Sequence, residues 1–292
     1  MKGGKHFDET LIVVLGDIIS CGNEKLFKTA GEIFSYIETE LSSVNYKITF
    51  IPGNHDYCNG NLNAFNRFCR SHQTATSDPF DFTCKTSFHI PLGDINLIFT
   101  DSIQDNNYKI AGQLDLESIR QCILTDKENI LFMHHSLLFE DSGDHTGISQ
   151  QLKTIDFLKH HGIRFVFHGH THASRNFAGN GDCMLFGVGS IGVEKPGIAN
   201  EKEQFLEVQI SGRHIEAVAN WLWRGGSGKY RMDCIYPNSS SEYGNGEMIP
   251  RIQYEEPENY IERHVLLLDV AAQDEVTRYL SLDKKTTLFD AC

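Results

Sequence analysis

Four short apolar runs in this chain end in side chains able to hold a divalent metal ion. Residues 11–15 run into Gly16 and Asp17, and residues 48–51 into Pro52, Gly53, Asn54, His55 and Asp56. Residues 130–133 run into His134 and His135, and residues 165–167 into His168, Gly169, His170, Thr171 and His172. Aspartate, asparagine and histidine are hard-to-borderline ligands, suited to Zn²⁺, Mn²⁺ or Fe²⁺. Neighbouring glycines let the backbone turn tightly, so that ligand side chains can approach one centre. Singly, each signal is ordinary. A Gly-Asp after a strand is usually a turn, and a His-His pair is usually a satisfied core histidine beside an exposed one. The weight lies in the four together.

An alternation of strand and helix must position them. Unbroken apolar runs at 11–15, 47–51, 95–100, 130–133 and 164–167 read as strands covered on both faces. Leu26, Ala30, Ile33, Phe34, Ile37 and Leu41 recur at three- and four-residue spacing, which predicts a helix over 24–42 with Asn23 as its N-cap. Further helices are expected over 62–69, 114–124 and 152–160. Such alternation implies βαβ units and a largely parallel sheet. Ligands then gather beyond the carboxyl ends of the strands, so the four termini converge on one crevice. After residue 182, strands are expected over 183–188, 204–210 and 214–223, with a hairpin turn at 211–213. Residues 224–260, rich in Gly, Ser, Asn and Pro, read as an irregular extension or linker. Residues 261–292 read as a tail, the start of a further module of a larger protein, with an amphipathic helix over 271–282.

Composition narrows the field. The chain has 292 residues, 40% of them hydrophobic, and 26 Lys plus Arg against 39 Asp plus Glu, a net charge of −13. This fits a folded globular protein, and the acidity gives no support to a nucleic-acid partner. A spanning helix needs about 20 apolar residues; the longest runs here hold four or five, so no membrane segment is expected. The first ten residues carry no apolar h-region. Eight cysteines without a C-x-x-C pair read as reduced, packed thiols of a cytoplasmic protein.

In this order, Gly16–Asp17, Gly53–Asn54–His55–Asp56, His134 and Gly169–His170–Thr171–His172 resemble the calcineurin-like metallophosphoesterase superfamily, over roughly residues 10–223. The resemblance implies an α/β fold, a four-layer αββα sandwich, occupying residues 1–223. It implies metal-dependent hydrolysis of a phosphomonoester or phosphodiester at a two-metal site. By motif match Asp17 would bridge the metals, Asn54, His134 and His170 would complete one sphere, and His172 would serve the other. His55 would act near the leaving oxygen as general acid or electrostatic stabiliser, oriented by Asp56. The chemistry agrees: two ions acidify a bridging water and clamp the ester, and a carboxylate with two oxygens suits the bridging place. Neutral Asn54 leaves its ion more Lewis acidic than a carboxylate would.

The chain departs from the family at its start. The family pattern opens with D-x-H at the end of a first strand upstream of Gly-Asp, and that pair serves the metal of His172. The residues before Leu11 hold only the reverse, His6 and Asp8. The first strand is therefore expected to be missing here, with the true start further upstream. Two ions (Mn, Fe or Zn) are expected from the family, one if the D-x-H pair is absent. The alternatives are a metal-degenerate, non-catalytic binding or regulatory module of the same fold, and a nuclease or nucleotide-signal effector domain of a larger protein. Other motifs fail on context. G-x-G-x-x-G over 187–192 precedes a poor helix opening. Residues 225–229 lack the Walker spacing, with Trp223 where glycine is needed.

Overall fold

The computed structural model describes residues 9–20, 22–103, 111–137, 147–171, 176–179, 183–190, 204–224, 229–236 and 263–268. Its strands are β1 (Glu9–Val14), β2 (Tyr46–Phe50), β3 (Ser87–Leu92), β4 (Ile95–Thr100), β5 (Glu128–Met133) and β6 (Phe165–His168). They continue with β7 (Asn176–Gly179), β8 (Cys183–Gly187), β9 (Gln204–Ser211), β10 (His214–Arg224), β11 (Lys229–Tyr236) and β12 (Arg263–Leu268). The helices are α1 (Leu26–Glu40), α2 (Asn63–His72), α3 (Leu116–Cys122) and α4 (Gln151–His160). Two six-stranded sheets form, in the orders β11-β10-β9-β12-β1-β2 and β3-β4-β5-β6-β8-β7.

Strand alternation sorts the side chains of the second sheet into two cores. Leu97, Phe99, Ile130, Phe132, Phe165 and Phe167 pack with the first sheet, in a core that also holds Phe27 and Phe34 of α1 and Phe68 of α2. Ile98, Leu131, Met133 and Val166 point the other way, onto Ile119 of α3 and Leu158 of α4. The result is the expected four-layer order of helices, sheet, sheet and helices.

A ladder of phenylalanines runs across the inner face of the second sheet. Phe88, Phe99, Phe132, Phe167 and Phe186 stand opposite one another on β3, β4, β5, β6 and β8. Successive ring centroids lie 4.9, 5.0, 5.3 and 5.0 Å apart, all stacked. Such cross-strand aromatic pairs contribute roughly 0.5–1.5 kcal/mol each beyond their burial. A one-residue slip would turn each ring to the wrong face. The ladder therefore fixes how far each strand reaches.

Three placements differ from expectation. The position beside β1, on the side away from β2, is taken by β12, parallel to β1 with Leu268 opposite Val14. Its other neighbour is β9, antiparallel, so residues 263–268 belong to this sheet and not to a separate module. Residues 224–260 are likewise not wholly irregular, because β11 pairs with β10. Strand β3 escaped the sequence pattern because Pro91 interrupts it, and an edge strand tolerates proline. Helix α1 begins at Leu26, later than expected, with Asn23 Oδ1 accepting from the Lys25 amide in the preceding turn.

Phe132→Ala, in the middle of the ladder, should lower stability by about 3–5 kcal/mol, measured by urea unfolding. Deleting residues 261–292 removes β12 and bares the edges of β1 and β9. The melting temperature should then fall well beyond the ~2–4 °C that 1 kcal/mol costs a chain of this size. An unchanged melting curve would show that β12 contributes nothing to the sheet.

Candidate metal centre

The ends of β1, β2, β5 and β6 converge as the topology requires. Asp17, His134 and His170 place ligand atoms all within 4.8 Å of one another, and Asn54 completes the group. His134 Nε2 lies 3.0 Å from Asn54 Oδ1, 3.0 Å from His170 Nδ1 and 3.3 Å from Asp17 Oδ2. Atoms held about 2.0–2.2 Å from a single ion stand roughly 3.0–3.5 Å apart. The spacing is that of a coordination sphere.

The donor chemistry points the same way. His134 Nδ1 donates to the Leu15 carbonyl at 2.6 Å, which places the proton on Nδ1 and turns the Nε2 lone pair toward the cluster. A backbone carbonyl on the far nitrogen is the usual orienter of a metal-binding imidazole. Asp17 Oδ2 and Asn54 Oδ1 are acceptors as well. Lone pairs gathered this closely, in a place where Asp17, Asn54 and His134 are all buried, are stabilised by a cation among them. The residues fit a divalent ion.

Asp17 is held from several directions. Its backbone is left-handed, φ 52°, and its Oδ1 accepts the His55 amide at 2.9 Å. Gly53 lies so close that a Cβ there would stand 2.2 Å from Asp17 Oδ1; only glycine fits. Burial alone would raise the Asp17 carboxyl, but the imidazoles of His134, His55 and His170 outweigh it and hold the group below the usual carboxylate range. Asp17 therefore stays anionic.

Asp56 accepts the amides of Gly53 at 2.8 Å and Ile19 at 3.2 Å, so it ties the loop after β1 to the loop after β2. Burial, then the nearby Asp17 charge, pushes its carboxyl up to about 8. His172, expected to serve a second ion, lies outside the described residues, as do His6 and Asp8. His168 stands apart from the cluster, with Nδ1 donating to the Gly169 carbonyl at 3.1 Å; burial lowers it to about 4.

Sequence reasoning missed the end of β4. Asp101 and Ser102 follow that strand as His134 and His135 follow β5, the same strand-end signal already used for the ligands. Asp101 is buried, accepting from the Tyr57 hydroxyl at 2.7 Å and the Ile103 amide at 2.8 Å. Tyr57 directly follows Asp56, so this bond joins the ligand loop of the first sheet to the second sheet. His135 is 2% exposed, with Nδ1 2.8 Å from Ser102 Oγ.

Comparison with known proteins adds the following. A family model described as "Calcineurin-like phosphoesterase" matches residues 3–174. A dimetal phosphatase from Danio rerio is similar in structure with a TM-score of 0.43 and 13% identity, covering 73% of this chain and 77% of that one. A double mutant of Vps29 from Entamoeba histolytica gives 0.35 and 11%, covering 76% and 97%. No curated protein sequence matches.

Burial pushes the Asp101 carboxyl up to about 6, against the opposing pull of Tyr57, Ile103 and His134. A carboxyl raised in the folded state stabilises below its unfolded value, near 3.9, and that contribution is lost as pH rises through about 6. The shift corresponds to about 3 kcal/mol. Asp101→Asn should therefore flatten the decline in stability between pH 4 and 7, read from urea unfolding of both proteins at each pH.

Proposed function

Because this chain belongs to the calcineurin-like phosphoesterase family, we propose that it is a metal-dependent hydrolase of a phosphomonoester or phosphodiester. The reaction centre is the group formed by Asp17, Asn54, His134 and His170. The observation that carries this reading is the approach of three ligand atoms to within 3.3 Å of His134 Nε2. A divalent ion, Mn, Fe or Zn, supplies an acidified water and neutralises charge on the phosphoryl oxygens when bound there.

The chain's own residues do the rest. Asp17 remains anionic, and its Oδ2 faces the ligand cluster while Oδ1 anchors the His55 amide. That anchor places His55 beside the centre, where its imidazole can donate a proton to the departing oxygen of the ester. Asp56 holds the loop in shape through Gly53 and Ile19, a positioning role in place of contact with the reacting atoms. His172 is assigned to a second ion on motif match alone.

We place the enzyme in the cytoplasm. Among the described residues no helix is long and apolar enough to cross a membrane, and the buried Cys69 and Cys122 carry thiols, which suits a reducing compartment.

Asn54→Ala and His170→Ala should each lower bound metal and turnover of an aryl phosphate ester together. His55→Ala should keep its metal and lose roughly 10²–10⁴-fold in kcat for esters with poor leaving groups. Elemental analysis beside assays with Mn²⁺, Fe²⁺ or Zn²⁺ reads both effects. If metal-loaded protein turns over neither monoesters nor diesters, the hydrolase reading fails and a binding module of the same fold remains.

A further inference from the structure

His135 adjoins the metal centre without being one of the clustered ligands. Its ring centroid lies 4.6 Å from that of His170, with 37° between the planes, and 5.3 Å from that of His134. Two other contacts immobilise it. Ser102 Oγ stands 2.8 Å from Nδ1 and also accepts the His135 amide at 3.0 Å, so one hydroxyl holds both backbone and ring. Gly112 covers part of the ring: a Cβ there would stand 2.6 Å from His135 Cγ and 2.8 Å from Nδ1. Gly112 is itself fixed, donating to the Gly147 carbonyl and accepting from the Ser149 amide, while Gln113 donates to the Ser102 carbonyl. Three separate stretches of backbone therefore frame one imidazole.

His170 needs such a frame. Its backbone is left-handed, φ 67°, a conformation that costs a non-glycine residue about 1–3 kcal/mol and persists only where the surroundings over-determine it. The His134 ring meets it edge-on at 4.8 Å, with His170 Nδ1 toward His134 Nε2. The broad contact with His135 opposes rotation of the ring out of that position.

We propose that His135 is a positioning residue of the metal centre, whose flat ring, clamped by Ser102 and Gly112, holds the His170 imidazole with Nδ1 turned toward Asp17 and His134. The proposal rests on the metal reading above and adds that ligand geometry is enforced by a non-ligand ring.

Three variants of the full chain test it: His135→Phe keeps a flat ring, His135→Leu fills the space without one, and His135→Ala empties it. Mn²⁺ affinity is measured by competition with a chelating dye, and the visible absorption of the Co²⁺-loaded protein reports ligand geometry. Loss of an outer partner of a metal ligand typically costs 10–100-fold in affinity. His135→Leu and His135→Ala should lose that much and change the Co²⁺ spectrum, whereas His135→Phe should stay within about threefold of the unmodified protein. Should the alanine variant fail to fold, the comparison of phenylalanine with leucine decides. Equal affinity and spectra in all folded variants, or phenylalanine as weak as leucine, would overturn the positioning role. Failure of the unmodified protein to bind Mn²⁺ or Co²⁺ saturably would instead overturn the metal reading on which it rests.

Discussion

The registered stack of Phe88, Phe99, Phe132, Phe167 and Phe186 sets the geometry on which the second sheet's half of the centre depends. A sheet can slide by two residues and still keep its apolar face inward, so hydrophobic burial alone would leave strand ends at uncertain heights. Ring stacked on ring across five strands removes that freedom. His134 stands two residues beyond Phe132, and His170 three beyond Phe167. An error in register at the ladder would become an error of several ångströms at the ligands.

The loops supply the other half of the arrangement. Asp17 is a buried anion, and a buried anion is tolerable only when its charge is answered nearby. A cation among the clustered donors would supply that answer, and those donors come from both sheets: Asn54 follows β2, His134 follows β5 and His170 follows β6. Because these groups belong to different elements, the cluster around Asp17 joins the two sheets at this edge. The Tyr57–Asp101 bond acts between the same two regions, and the Asp56 contacts with Gly53 and Ile19 keep the loops of the first sheet in step.

Much of this was legible in the sequence, for identifiable reasons. Strands β1, β2, β4, β5 and β6 are continuous apolar runs, and a buried parallel strand has little other way to be written. The clustered residues Asp17, Asn54, His134 and His170 lie just beyond those runs, so placing the strands placed the residues. Where the reading failed, the cause was interaction with a distant part of the chain. Nothing local reveals that residues 263–268 pair with β1, since an apolar run carries no record of its neighbour. Nor does anything local announce that Asp56 accepts the Ile19 amide, because the two loops meet only in the folded chain. The burial of both His134 and His135 likewise depends on backbone brought up from elsewhere in the chain, Ser102 and Gly112 among it.

The pairing of β1 with β12 has a consequence in time. Ile12 meets Leu266, about 250 residues later in the chain. At roughly 5–20 residues per second of synthesis, one flank of β1 waits some tens of seconds for its permanent neighbour. During that interval the strand leading to Asp17 presents unpaired amides and carbonyls along a run of apolar residues, the kind of edge that recruits other chains. Chaperone supply and translation speed, more than final stability, would then set the yield of native molecules. The strand that leads to Asp17 thus precedes its β12 neighbour by most of the length of the chain.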